Sequence, residues 1–183
     1  MEISSSSVQH LVVLGTIILA ISLAGVHAEK KIRIKTLEKS SENSEYLHSH
    51  LRISEYEENV VKINGELKLH KDIDNDWTIQ FKVFRSPLDG GESHLVVDLN
   101  EMHVCDTMKT YYKDFFYDRL KEYSNAPHPS TCPVPAEHYK LEDYPLDVHL
   151  LKKLMTPGRY ESKFNLFKGH HEMLSYTMEL EVE

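Results

Sequence analysis

The chain has 183 residues, with 21 Lys and Arg against 29 Asp and Glu for a formal net charge of −8. That balance suits a soluble surface and argues against nucleic acid as a partner, because like charges repel the phosphates. The length fits one domain able to bury its own core without metal or many crosslinks.

From the N-terminus, Leu11 to Val26 is a nearly unbroken apolar run, and Val26-His27-Ala28 places small residues where a signal peptidase cuts. Residues 1–28 are therefore expected to be a cleaved signal peptide and the protein to be secreted. The run is shorter than the ~20 apolar residues of a spanning helix, so no membrane span is expected in the mature chain. Cleavage would leave 155 residues, 29–183, and remove Glu2 alone among the charges, giving 21 basic against 28 acidic, or −7. In an exported chain the only two cysteines, Cys105 and Cys132, are expected to form a disulfide. A loop of that length contributes about 3 kcal/mol in the chain-entropy account. No Asn-X-Ser/Thr sequon is present.

Residues 29–52 are rich in charge and serine and predict a polar, mobile arm, with at most a short strand at Ile32 and Ile34. The domain proper is expected over 53–183. Val61, Ile63, Leu67 and Leu69 alternate with Lys62, Glu66, Lys68 and His70, the period of a half-buried strand. Trp77, Ile79, Phe81 and Val83 repeat the pattern, and Ser86-Pro87-Leu88-Asp89-Gly90-Gly91 turns the chain into a hairpin. Leu95, Val97 and Leu99 continue inward on the return strand. Met102 and Val104 have the other parity, which predicts a bulge near Asn100.

From Asp106, a plausible N-cap, the period changes. Met108, Tyr111, Tyr112, Phe115, Phe116, Leu120 and Tyr123 fall at helical spacing and predict an amphipathic helix over about 107–123, ended by Ser124-Asn125-Ala126-Pro127. Tyr139 and Leu141 predict a short strand, and Tyr144 to Met155 an irregular connection. After the Thr156-Pro157-Gly158 turn, Tyr160, Phe164 and Leu166 alternate, followed by Leu174, Tyr176, Met178, Leu180 and Val182. The fold expected is all-β with one inserted helix, an antiparallel β-sandwich.

Catalytic templates fail on named residues. The chain contains no Gly-x-Ser-x-Gly elbow, phosphate-cradling glycine loop or His-Glu-x-x-His helix. Asp72-Ile73-Asp74-Asn75-Asp76 opens like a calcium loop, but Trp77 stands where its glycine belongs and Val83 where its glutamate belongs, so an acidic turn is expected. His48-Ser49-His50 and His170-His171 lack the partners of a metal site. No cofactor, metal or enzymatic activity is expected.

Asn64-Gly65-Glu66-Leu67, the Trp77 strand, Val104-Cys105-Asp106, the aromatic helix, Cys132-Pro133, Tyr139-x-Leu141 and Pro157-Gly158-x-Tyr160 follow one another over about residues 56–183. In that order they resemble a large insect family of small secreted proteins classed as a domain of unknown function. That family is distantly similar to the ML lipid-recognition and ganglioside-activator superfamily. The resemblance implies an immunoglobulin-like β-cup whose sheets splay to admit acyl chains. It also allows a setting in chemosensory or reproductive tissue, with which related insect proteins are connected. The ganglioside activator has more disulfides, so its cup lip is not carried over.

Two functions are weighed. The first is a non-enzymatic carrier of a lipid or other hydrophobic small molecule, lined by Trp77, Ile79, Phe81, Leu99, Phe164, Leu166, Tyr176 and Met178, with Tyr112, Phe115 and Phe116 as wall or lid. The second is an extracellular protein-interaction module with a solid core, engaging a receptor through Tyr117 and the 29–50 arm.

Overall fold

A computed structural model describes residues 31–57, 60–147, 153 and 155–183. The signal peptide expected over 1–28 lies outside these residues, as does most of the connection before Met155. Among the described residues, eight strands form two antiparallel sheets: β1 (Ile32–Glu42), β2 (Leu47–Glu57), β3 (Val60–Leu69), β4 (Trp77–Ser86), β5 (His94–His103), β6 (His138–Asp147), β7 (Gly158–Lys168) and β8 (His171–Val182). One sheet has the order β1-β8-β7-β4-β5 and the other β2-β3-β6. The expected all-β sandwich with one inserted helix is the observed architecture.

The expected arm over 29–52 requires correction, since from Ile32 it is strand. β1 pairs with β8 along nearly its whole length, Ile32 opposite Val182 and Glu42 opposite Leu174. An edge strand is held by its ladder, so it needs few apolar residues. Here a bulge between Ile34 and Thr36 changes parity and brings Leu37, rather than Thr36, opposite Met178. The Asn43–Tyr46 turn, in which Asn43 Oδ1 accepts the Glu45 N–H at 3.1 Å, then carries the chain to β2 in the other sheet. β6 is also longer than expected, extending through Tyr144 to Asp147 against β3.

The predicted bulge near Asn100 is present. Phe81 pairs with Leu99 and Ile79 with Met102, so Asn100 and Glu101 oppose Gln80 alone, and Glu101 has φ 41°. Gln80 Nε2 donates to Asn100 Oδ1 at 2.8 Å, Asn165 Nδ2 to Gln80 Oε1 at 3.1 Å and Ser175 Oγ to Asn165 Oδ1 at 2.7 Å. This ladder ties four strands on the outer face. The acidic turn is likewise observed: Asp74 Oδ1 accepts the Asp76 N–H at 3.0 Å, and Asp72 Oδ1 accepts the Ala136 N–H at 2.7 Å.

The helical segment α1 begins at Val104, two residues before the expected cap. His103 occupies the N-cap without a side-chain capping bond, its Nδ1 lying 2.8 Å from Asn75 O instead, and Asp106 lies inside the first turn. An α turn over Val104–Thr107 leads into a π-wound stretch, Met108–Tyr117, and a last α turn, Asp118–Leu120. Ser124 Oγ then donates to Leu120 O at 2.7 Å, closing the end as predicted. In the π winding, i→i+5 bonds replace i→i+4, so the inward face no longer steps by three and four. Met108, Tyr112, Tyr117 and Leu120 turn toward the protein, while Phe115 is 72% and Phe116 53% exposed. Tyr117, expected as an exposed contact, packs against Tyr112 at 5.7 Å and His128 at 5.3 Å.

The two sheets meet at the β1–β2 corner. On the opposite side, α1 and residues 121–137 run from the β5 edge to the β6 edge. The Cys105–Cys132 disulfide, with Cα atoms 5.7 Å apart, joins the start of α1 to that return segment.

Candidate functional site

The core is buried in two clusters rather than one. One contains Leu47, Leu69, Trp77, Met108, Tyr139 and Leu166 with their neighbours, and the other Ile32, Val61, Val83, Tyr160, Leu180 and Val182. Leu37, Leu51, Leu67, Phe81, Phe164 and Met178, which flank these clusters, are only partly buried. Large apolar side chains on inner faces would normally be fully enclosed. They remain open here because a gap separates the sheets.

The gap has two lobes. The smaller, about 300 Å³, is lined by Ile79, Met108, Tyr112, Val134, Tyr139 and Leu166 among others. The larger, about 560 Å³, is lined by Leu37, Phe81, Phe116, Ser162, Tyr176 and Met178 among others. Leu51, Leu67, Leu120 and Phe164 line both, so the lobes are neighbouring parts of one inter-sheet space. Volumes of this order are those of small-molecule clefts, about 300–1,000 Å³. The walls are almost wholly apolar. Phe116 and Leu120 of α1 stand at the side where the sheets diverge.

Of the eleven residues expected at a ligand site, the structure places Ile79, Tyr112 and Leu166 on the smaller lobe, Phe81, Phe116, Tyr176 and Met178 on the larger, and Phe164 on both. Trp77 does not, being 1% exposed within the first cluster, edge-on to Tyr46 at 5.8 Å. Leu99 pairs with Phe81 on the outermost strand and lines neither lobe. Phe115 points to solvent. The expectation that Leu95 and Val97 point into the core also requires correction. They are 47% and 38% exposed, because a second register shift in the β4–β5 ladder sets Leu95 opposite Phe84 on the outer face, while Val97, still opposite Val83, lies on the edge strand of its sheet.

Sequence reasoning missed Leu37 and Leu51, which lay in the supposed arm, and did not assign Leu67 and Leu120 to the site. It also missed the polar feature of the larger lobe. Ser49 on β2 and Tyr176 on β8 are 3% and 7% exposed, and their hydroxyl oxygens lie 3.0 Å apart across the sheets. Behind Ser49, Glu42 accepts from the Ser49 N–H at 2.8 Å, the Ser49 hydroxyl at 3.2 Å, Lys39 Nζ at 2.6 Å and His48 Nδ1 at 2.8 Å. Burial acts to raise the Glu42 carboxyl, but these bonds to Lys39, Ser49 and His48 outweigh it and pull it down to about 2. In the smaller lobe, Tyr112 donates to Pro127 O at 2.8 Å, and burial pushes its phenol up to about 12. Tyr139 donates to Pro135 O at 3.0 Å. Both phenols are neutral and held by backbone carbonyls, an arrangement that shapes a wall.

Among the described residues, no group of three or more His, Cys, Asp or Glu is placed to hold a metal ion. No described helix is long and apolar enough to cross a membrane. No curated protein matches the chain. Residues 79–162, which run from β4 through α1 and both cysteines to Ser162 in β7, match the model of a family described as protein of unknown function (DUF1091), to which this part of the chain is similar.

Proposed function

We propose that the protein is a secreted, non-enzymatic carrier that holds a lipid or other small hydrophobic molecule between its two sheets. The observation that carries this reading is the two-lobed apolar gap flanked by side chains left half-buried. A ligand entering it loses its water and gains about 0.8 kcal/mol for each methylene buried. The order of motifs that resembles the insect secreted family, itself distantly similar to the ML lipid-recognition superfamily, supports the same reading, including a chemosensory or reproductive setting. Export is supported by the apolar N-terminal run and by the disulfide, since such bonds persist in oxidising compartments. Native mass spectrometry of the secreted protein, followed by solvent extraction, tests the proposal. A co-purified hydrophobic molecule is the expected result, and a protein that stays empty when offered hydrophobic probes contradicts it.

A second reading, an extracellular interaction module, is favoured by one feature. Leu95, Val96 and Val97 are 47%, 50% and 38% exposed on β5, the edge strand of its sheet. Charged substitutions there would abolish receptor binding in that case and leave ligand uptake unchanged.

A further inference from the structure

The polar residues lining the larger lobe are Ser49, Glu66, Ser162 and Tyr176, and the direction of the hydrogen bonds between Ser49, Glu42 and Tyr176 follows from chemistry. The Glu42 carboxylate, ionised at neutral pH, can only accept. Ser49 has one hydroxyl proton and gives it to Glu42. In the 3.0 Å contact with Tyr176, Ser49 is therefore the acceptor, and the phenol, the more acidic of the two hydroxyls, is the donor. The Tyr176 proton is thereby taken, and its oxygen is left with accepting capacity.

Lys39, opposite Tyr176 in the β1–β8 ladder, is already held by Glu42 at 2.6 Å and by the Ser49 carbonyl at 2.9 Å. Glu66, on the shared wall of the lobes, adds a further carboxylate, paired with His138 at 2.9 Å. Ser162 on β7, 9% exposed, completes the polar residues along the larger lobe.

We propose that the larger lobe selects an amphiphile whose polar end donates a hydrogen bond, a long-chain alcohol in preference to a fatty acid or an ether, with Tyr176 Oη as the acceptor. A fatty-acid carboxylate would set acceptor against acceptor, and the Lys39 ammonium that could have offset it is already held by Glu42 and the Ser49 carbonyl. An ether would fill the same apolar volume and leave the Tyr176 oxygen without a donor. This selection rests on the carrier reading.

The test is displacement of the fluorescent probe N-phenyl-1-naphthylamine from the mature, disulfide-intact protein at pH 7 by 1-dodecanol, dodecyl methyl ether and dodecanoate. The alcohol is expected to displace the probe at about fivefold lower concentration than the ether, the worth of one neutral hydrogen bond, with dodecanoate weakest. Tyr176→Phe is expected to remove the alcohol's advantage and leave the ether unchanged. Ser49→Ala, which frees the Tyr176 proton, is expected to turn the preference toward the ether and dodecanoate. Equal displacement by alcohol and ether, or a preference for dodecanoate in the unsubstituted protein, overturns the selection while the carrier reading stands. A probe that never binds overturns both.

Discussion

Replacing Glu42 by Gln removes the charge from the most heavily bonded carboxylate described in the structure. Its side chain is 12% exposed and ties β1 to β2 through Lys39, His48 and Ser49. An ordinary value of 4.5 against about 2 in the fold corresponds to roughly 3 kcal/mol, at 1.36 kcal/mol per pH unit. Lys39 and His48 are 30% and 57% exposed, so solvent screens their share, and about 2 kcal/mol is the working figure. Because the carboxyl is depressed in the fold, this stability is present above the unfolded value and is lost as pH falls from 4.5 through about 2. Urea unfolding followed by the fluorescence of Trp77, the single tryptophan, checks it in the disulfide-intact protein. Glu42→Gln should be less stable by about 2 kcal/mol at pH 7, and the difference should shrink toward zero near pH 2. A difference that stays constant from pH 7 to pH 2, or none at pH 7, refutes the reasoning.

Gly65→Ala should lower stability by about 1–3 kcal/mol in the same assay, since an added Cβ would fall 2.7 Å from His50 O and against Leu51 Cδ2. Phe164→Ala, which removes the wall between the lobes, should cost about 3–4 kcal/mol. Phe115→Ala, at a side chain in solvent, should stay within about 0.5 kcal/mol; similar costs for the two phenylalanines would contradict the placement of α1. Replacing both cysteines by serine should lower stability by about 3 kcal/mol, with added reductant bringing the unsubstituted protein to the same midpoint.

The strands whose inner faces meet apolar neighbours were legible in the sequence. Trp77 to Val83 and Leu174 to Val182 alternate cleanly because one face packs and the other meets water. The bulge at Asn100 could be read from the parity change between Leu99 and Met102. Alternation on β5 did not reveal the register shift at Val96, which turns Leu95 to the face of Phe84 while Val97 stays opposite Val83. β1 was obscure because an edge strand is held by backbone pairing with a partner some 140 residues away, leaving little mark on composition. The helix was found, yet its winding was not. Assuming i+3 and i+4 spacing put Phe115 inside, whereas the π stretch carries it outward and keeps Met108, Tyr112 and Leu120 in. Of the site, the apolar walls on β4, β7 and β8 were visible, and the Glu42–Ser49–Tyr176 relay was not. Three polar residues on three strands become neighbours only when the corner between β1 and β2 brings the sheets together.

The most direct test of the inter-sheet gap as the binding site is a two-dimensional NMR titration of the isotope-labelled mature protein with 1-dodecanol. Saturable shifts confined to residues lining the lobes, among them Leu67, Leu120, Phe164 and Tyr176, are the expected result. Resonances that stay fixed there, or that move only at Leu95–Val97 and Phe115, would contradict it.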